Sequence, residues 1–211
     1  TEDDQTSQKV PLMTFLKNKK KNIVQQFWED MAKQMISTLS LFDESYVNFR
    51  SFLTNICLCK IRILRISGIF VATSLYSQLT NQLRTIISEI ERFEKLESTT
   101  TAVQQKMETM KNEKRVYTLN ATYMCNQIIA KSIRDNEPII RSAAADGIGN
   151  GACNFPSLFG DAAHLKYLQW ALKASEPKQR ASIMKTLQRV FTELEPEQWK
   201  PLAELIEEEI V

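Results

Sequence analysis

Between Leu12 and Glu137 the sequence has no proline and a single glycine, Gly68. Both residue types interrupt helices, so their scarcity permits unusually long ones. Histidine is scarcer still. His164 is the sole example and has no nearby Ser/Asp or Cys partner in the chain, so the residues of an active site are missing. The four cysteines, Cys57, Cys59, Cys125 and Cys153, lack the paired spacing of a zinc site; no metal and no cofactor is expected, and the thiols are read as buried and reduced. The longest apolar stretch, Ile61 to Val71, is interrupted by Arg62 and Arg65 and is too short to span a bilayer. The first ten residues are acidic and polar, unlike a secretory leader. Because the chain opens on Thr1 and stops in an acidic, helix-like run, it is expected to be a piece of something longer.

Two motif-like stretches carry no chemistry. Gly147, Gly149 and Gly151 form G-x-G-x-G, but the run closes a predicted helix instead of following a strand, so a flexible cap and linker is expected. Asn120-Ala-Thr122 matches the glycosylation sequon in the middle of a predicted helix and is read as noise.

Charge is nearly balanced overall, at +2, yet unevenly placed. Residues 1–135 hold 19 Lys/Arg against 14 Asp/Glu, whereas residues 136–211 hold 8 against 11. A basic front and an acidic rear are compatible with nucleic-acid contact through the front.

The elements that are present are helical. After the basic cluster Lys17 to Lys21, Ile23, Val24, Phe27, Trp28, Met31, Met35 and Ile36 recur at the spacing of one buried helix face. A second helix is predicted from near Tyr46 to about Glu97. Its first half is apolar nearly all round (Phe49, Phe52, Leu53, Ile56, Ile61, Leu64, Ile69, Phe70), so neighbours should enclose it. Its second half places Tyr76, Leu79, Leu83, Ile86, Ile90 and Phe93 at alternating three- and four-residue steps, the seam of a coiled coil. Val103, Met107, Met110, Lys114, Tyr117, Ala121, Met124 and Ile128 repeat the pattern on a returning arm, with the turn at Ser98 to Thr101. Two seams joined by a turn predict an antiparallel hairpin whose polar outer faces project into solvent.

The last third changes rhythm. Pro138, Ile140, Arg141, Ala144, Ile148 and Gly149 are echoed thirty-nine residues later by Pro177, Arg180, Ile183 and Leu187. A period near forty is that of HEAT-type helical repeats. Proline suits the first turn of each helix, and Asp161 is placed to cap the helix between them. The expected organisation is a helical segment at 1–45, a long hairpin at 46–135 and HEAT-like repeats at 136–211. The fold class is all-α: a HEAT-like solenoid fragment with a projecting coiled-coil hairpin.

Residues 131–191, reading K-S-I-R-D-N-E-P-I-I-R, then F-G-D-A-A-H-L-K-Y-L-Q-W-A-L-K, then R-A-S-I-M-K-T-L-Q-R-V-F, resemble the stromalin (stromal antigen) HEAT-repeat subunit of cohesin. Pro11-Leu12, the lysine-rich lead, the Phe27-Trp28 helix and Ser45 to Arg50, placed where that family has a short loop, are similar too. The Leu165-Lys166-Tyr167-Leu168 and Trp170 block is the most specific part. The resemblance implies a hook-shaped solenoid that binds the kleisin subunit and duplex DNA in the nucleus, on chromatin, with no membrane. It also implies a groove for short aromatic-bearing regulator peptides, lined here by Arg134, Lys166, Trp170 and Leu202. Ile133 stands where many relatives carry Tyr, and Ile206 where an Arg is expected.

Lys17, Lys19, Lys20, Lys21, Lys60, Arg62 and Arg65 are the candidates for phosphate contact, because clustered cations release counterions from a duplex irrespective of base sequence. Their bland reading is a solvated charge run, and that of Trp170 is a core tryptophan between helices. A HEAT-type adaptor or transport scaffold with no nucleic-acid role is the competing function.

Overall fold

The computed structural model describes residues 19–38, 41, 43–95, 100–156, 162–173, 177–197, 199–200, 203–204 and 207. All regular elements among them are helical: α1 (Lys19–Thr38), α2 (Glu44–Leu58), α3 (Arg62–Glu94) and α4 (Thr101–Met124), which continues through a π-helical turn (Cys125–Ile129) into the short α5 (Ala130–Ser132). They are followed by α6 (Pro138–Asn154), α7 (Ala162–Leu172) and α8 (Pro177–Glu193). Helix α3 is the spine: α1, α2, α4 and α6 all pack on it, and α6 in turn packs on α7 and α8.

The long second helix expected from Tyr46 is broken at 59–61. A continuous rod would leave the all-round apolar stretch facing water on several sides. Folding α2 back onto α3 buries Leu53 and Cys57 with Ile66 and Ile69 in one core. Gly68 makes the fold-back close: a Cβ there would sit 2.8 Å from Ile56 Cγ2 and 2.9 Å from Cys57 Sγ. Ser45 to Arg50, placed where the resembling family has a short loop, lies in α2, whose start near Tyr46 was expected. Enclosure of the apolar stretch is incomplete. Phe52, Ile61 and Leu64 remain 59%, 58% and 41% exposed, and on α1 Phe27 faces outward beside the buried Ala32 and Ile36.

Tyr76, Leu79 and Leu83 are fully buried in the hairpin seam, and Ile86, Ile90 and Met110 continue it as a small core of their own, flanked by Phe93 and Tyr117. This separate core is what a projecting arm requires, since beyond the body the two helices can bury apolar surface only against each other. Helix α4 starts after Thr100, whose carbonyl accepts from the N–H of Gln104 at 3.0 Å. The rest of the expected turn, including Ser98, lies outside the described residues.

Pro138 occupies the first turn of α6, as expected, and Ile140, Ala144 and Ile148 are fully buried. The echoing Ile183 and Leu187 of α8 are each 3% exposed. The glycine triplet is no linker; it lies inside α6. Gly147 and Gly151, one turn apart, face α3, where added Cβ atoms would meet Thr73 Cγ2 (3.1 Å) and the Tyr76 ring (2.7 Å to Cε1). Gly149, on the other side, meets Thr186 and Arg189 of α8. Helix α6 is thus clamped between two helices, and the missing side chains let both approach.

Candidate functional site

The segment Ile133–Glu137 leads from the hairpin into α6, and every residue in it is held. Ile133, expected beside an exposed groove, is 5% exposed and belongs to the core. Asp135 is gripped by Arg65, whose Nε donates to Oδ2 at 2.8 Å and whose Nη2 donates to Oδ1 at 3.3 Å. Asp135 Oδ1 also accepts the N–H of Glu137 at 2.8 Å, closing a turn just before α6. Arg141, reaching back one turn, donates from Nη1 to the carbonyls of Asp135 (2.7 Å) and Asn136 (2.9 Å). Glu137 pairs with Arg62 at 2.7 Å.

Two of the expected phosphate contacts therefore converge on this elbow. Arg65 is committed inward: besides Asp135 it donates from Nη1 to the carbonyls of Cys59 (3.2 Å) and Lys60 (3.0 Å), fixing the end of α2. Hydrogen bonding to Asp135 pushes its pKa above the ordinary arginine value. Arg62 keeps 52% of its side chain in solvent while pairing with Glu137, and Lys60 is exposed. Lys19, Lys20 and Lys21 stand in succession on the first turn of α1. Their side chains, and all of Lys17, lie outside the described residues.

Of the expected groove, the structure joins Arg134 and Trp170. The Arg134 guanidinium carbon lies 4.0 Å from the Trp170 ring centroid, a cation–π contact between the end of α5 and α7. Tyr167, one turn before Trp170, meets the indole edge-on at 5.3 Å and 77°. Leu168 and Ala171 anchor this face of α7 in the core, which leaves Trp170 half-buried at the rim. The bland reading of a core tryptophan does not describe it. The side chains of Lys166 and His164, the whole of Asp161 with its expected cap, and Leu202 and Ile206 lie outside the described residues.

A second polar anchor was not anticipated. Arg50 of α2 donates from Nη1 to Asn120 Oδ1 at 2.6 Å and lies 3.8 Å from the Tyr123 ring centroid, while Thr54 and Tyr123 hydroxyls meet at 3.3 Å. This cluster ties α2 to the root of the arm. The local signal was a single arginine among the apolar residues of α2, with its partner seventy residues away. Asn120 is 4% exposed and its amide also donates to Val116 O at 3.0 Å, so its sequon is sealed inside the fold.

Burial pushes the Cys57 thiol up to about 12 and the Cys125 thiol up to about 11. Among the described residues no group of three or more His, Cys, Asp or Glu is placed to hold a metal ion, and no helix is long and apolar enough to cross a membrane.

With this geometry in place, residues 134–207 match the stromalin conservative domain family. Comparison with curated proteins finds no match. Among solved structures, cohesin subunit Scc3 from Z. rouxii (residues 88–1035) is similar over 88% of this chain, with a TM-score of 0.68 and 17% sequence identity. That likeness covers 23% of the Scc3 chain and concerns the fold: a helical solenoid. The family match begins at Arg134, the residue lying over Trp170, and takes in α6, α7 and α8.

Proposed function

We propose that the chain is part of a non-catalytic accessory subunit of a cohesin-type complex, one that holds an extended kleisin segment on its solenoid and duplex DNA on its basic side. The observation that carries this reading is the stromalin conservative domain at 134–207, set on a fold like that of a cohesin subunit. In this reading the protein works in the nucleus, on chromatin, in sister-chromatid cohesion. It acts by presenting surfaces, and the rim at Arg134 and Trp170, extended by Lys166 and Leu202, takes aromatic-bearing regulator peptides.

The DNA contact falls to Lys17, Lys19, Lys20, Lys21, Lys60 and Arg62. Arg65 leaves the set, because a guanidinium already satisfied by a carboxylate and two carbonyls has little to give a phosphate. Binding of this kind is independent of sequence and sensitive to salt. If about four phosphates are contacted, affinity for a duplex falls about a hundredfold between 50 and 200 mM salt.

Two measurements test the reading. Purified full-length protein should retain a kleisin subunit. Titration with a mixed-sequence duplex should show the steep salt dependence, and Lys19→Glu, Lys20→Glu and Lys21→Glu together should weaken binding at least tenfold. A protein that retains other partners and ignores duplex at low salt is instead the HEAT-type adaptor.

A further inference from the structure

The tie between α2 and the root of the arm carries a positive charge and no negative one. Arg50 donates from Nη1 to Asn120 Oδ1 and lays its guanidinium against the Tyr123 ring. It pairs with no carboxylate among the described residues, whereas Arg62 and Arg65 each have one. Its Nε is sealed from solvent and has no hydrogen-bond partner among them either. One turn earlier on the same helix, Tyr46 is 0% exposed, and its hydroxyl is likewise sealed and unpartnered. Residues four apart share a helix face, so both donors stand on the side of α2 that Arg50 turns to α4.

The groups that act on the Tyr46 hydroxyl are Arg50 and Tyr117 of α4, with no carboxylate among them. Burial pushes that hydroxyl up to about 12, so at neutral pH it keeps its proton and can donate. The cluster's own acceptors are in use: Asn120 Oδ1 takes Arg50, and the Thr54 and Tyr123 hydroxyls meet each other. A water would accept from these donors, but it brings two hydrogens of its own and leaves the charge unbalanced. Two buried donors beside an uncompensated guanidinium fit an acceptor that is itself negative.

We propose that Tyr46 and Arg50 form a site for one small monovalent anion, chloride, held between α2 and α4 at the root of the arm. The Tyr46 hydroxyl and the Arg50 Nε–H donate to it, and its charge offsets the guanidinium. The ion fastens α2 to the arm, and because it binds only the folded chain, chloride stabilises that chain along a saturating curve. This dependence is opposite in direction to that of the duplex contact proposed above, which salt weakens.

The test measures urea midpoints of the unaltered chain as chloride or bromide replaces gluconate, an anion too large for a buried site, at constant ionic strength. Both halides should raise the midpoint to a plateau. Tyr46→Phe removes one hydroxyl and leaves the packing intact; it should fold and lose most of the difference between chloride and gluconate. Arg50→Gln should lose all of it. In a crystal soaked in bromide, anomalous scattering should place one ion between Tyr46 Oη and Arg50 Nε. Equal midpoints in the three salts overturn the site and leave both donors to water alone. A chloride effect undiminished in Tyr46→Phe, or bromide found only elsewhere, overturns it as well.

Discussion

Arg65 and Asp135, seventy residues apart, meet through two hydrogen bonds with only 16% and 12% of their side chains left in solvent. One guanidinium thereby joins the end of α2, the start of α3 and the entry to the stromalin domain. Removing either partner strands a largely desolvated charge. Asp135→Ala is expected to lower the stability of the chain by about 3 kcal/mol, read as a shift in the urea midpoint. Arg65→Lys should recover little of the Arg65→Ala loss, because an ammonium cannot serve the carboxylate and both carbonyls at once. A shift for Asp135→Ala of the few tenths typical of exposed pairs contradicts the tether.

The glycines of α6 should separate by position. At Gly151 an added methyl drives into the Tyr76 ring, which is fully buried and has nowhere to go. Gly151→Ala is expected to cost about 1–3 kcal/mol in unfolding experiments. Gly147→Ala crowds the Thr73 methyl at 3.1 Å and meets Ile129 at an ordinary 3.5 Å, and the gain in helix propensity, about 1 kcal/mol, offsets that crowding. Its stability should stay within about 0.5 kcal/mol of the unaltered chain. Equal effects at the two positions would show that packing against Tyr76 is not what selects glycine.

Alkaline pH should loosen the fold through its thiols. Cys57 is pushed up to about 12 and Cys125 to about 11, against an ordinary value of 9.0, and the chief cause in both is burial. In the unfolded chain these groups lose their protons from about pH 9, while the fold keeps them neutral. The stability they contribute is complete below pH 9 and is lost as pH rises toward 11 and 12. Urea midpoints measured at pH 8, 9, 10 and 11 should fall over that range, and less steeply in Cys57→Ala/Cys125→Ala. At pH 8 neither thiol should react with a disulfide reagent until the chain is unfolded.

The arm should open independently of the body. Ile90 belongs to the small cluster it shares with Ile86 and Met110, whereas Leu79 is part of the main core. Ile90→Ala should accelerate amide hydrogen exchange in the outer turns of α3 and α4 and leave α6 unchanged. Leu79→Ala, at 0% exposure, should lower the protection of both, at a cost of about 2–5 kcal/mol.

The hairpin was legible because its seam repeats: Tyr76 through Phe93 needs only the spacing of apolar residues, and spacing is a local property. The paired burial of Ile140 and Ile183 was legible for the same reason. The break at 59–61 was not, since the fold-back depends on a contact between Gly68 and residues 56 and 57 that no periodicity encodes. The glycine triplet misled because composition cannot separate a glycine that frees the backbone from one that admits a neighbour. Arg65 read as an available cation because its acceptor lies seventy positions along the chain. At the rim, spacing placed Trp170 on an amphipathic helix, but the guanidinium across its face comes from a different one.

The π-helical turn at Cys125–Ile129 carries a mechanical implication. One surplus residue in that turn sets the azimuth at which the rod enters the body, so the arm and the body keep separate angular settings along one unbroken backbone. Wound as ordinary α-helix with no residue removed, the same segment would swivel one part about 100° against the other. Inserting or removing whole heptads farther out would change the reach of the finger and leave its bearing unaltered.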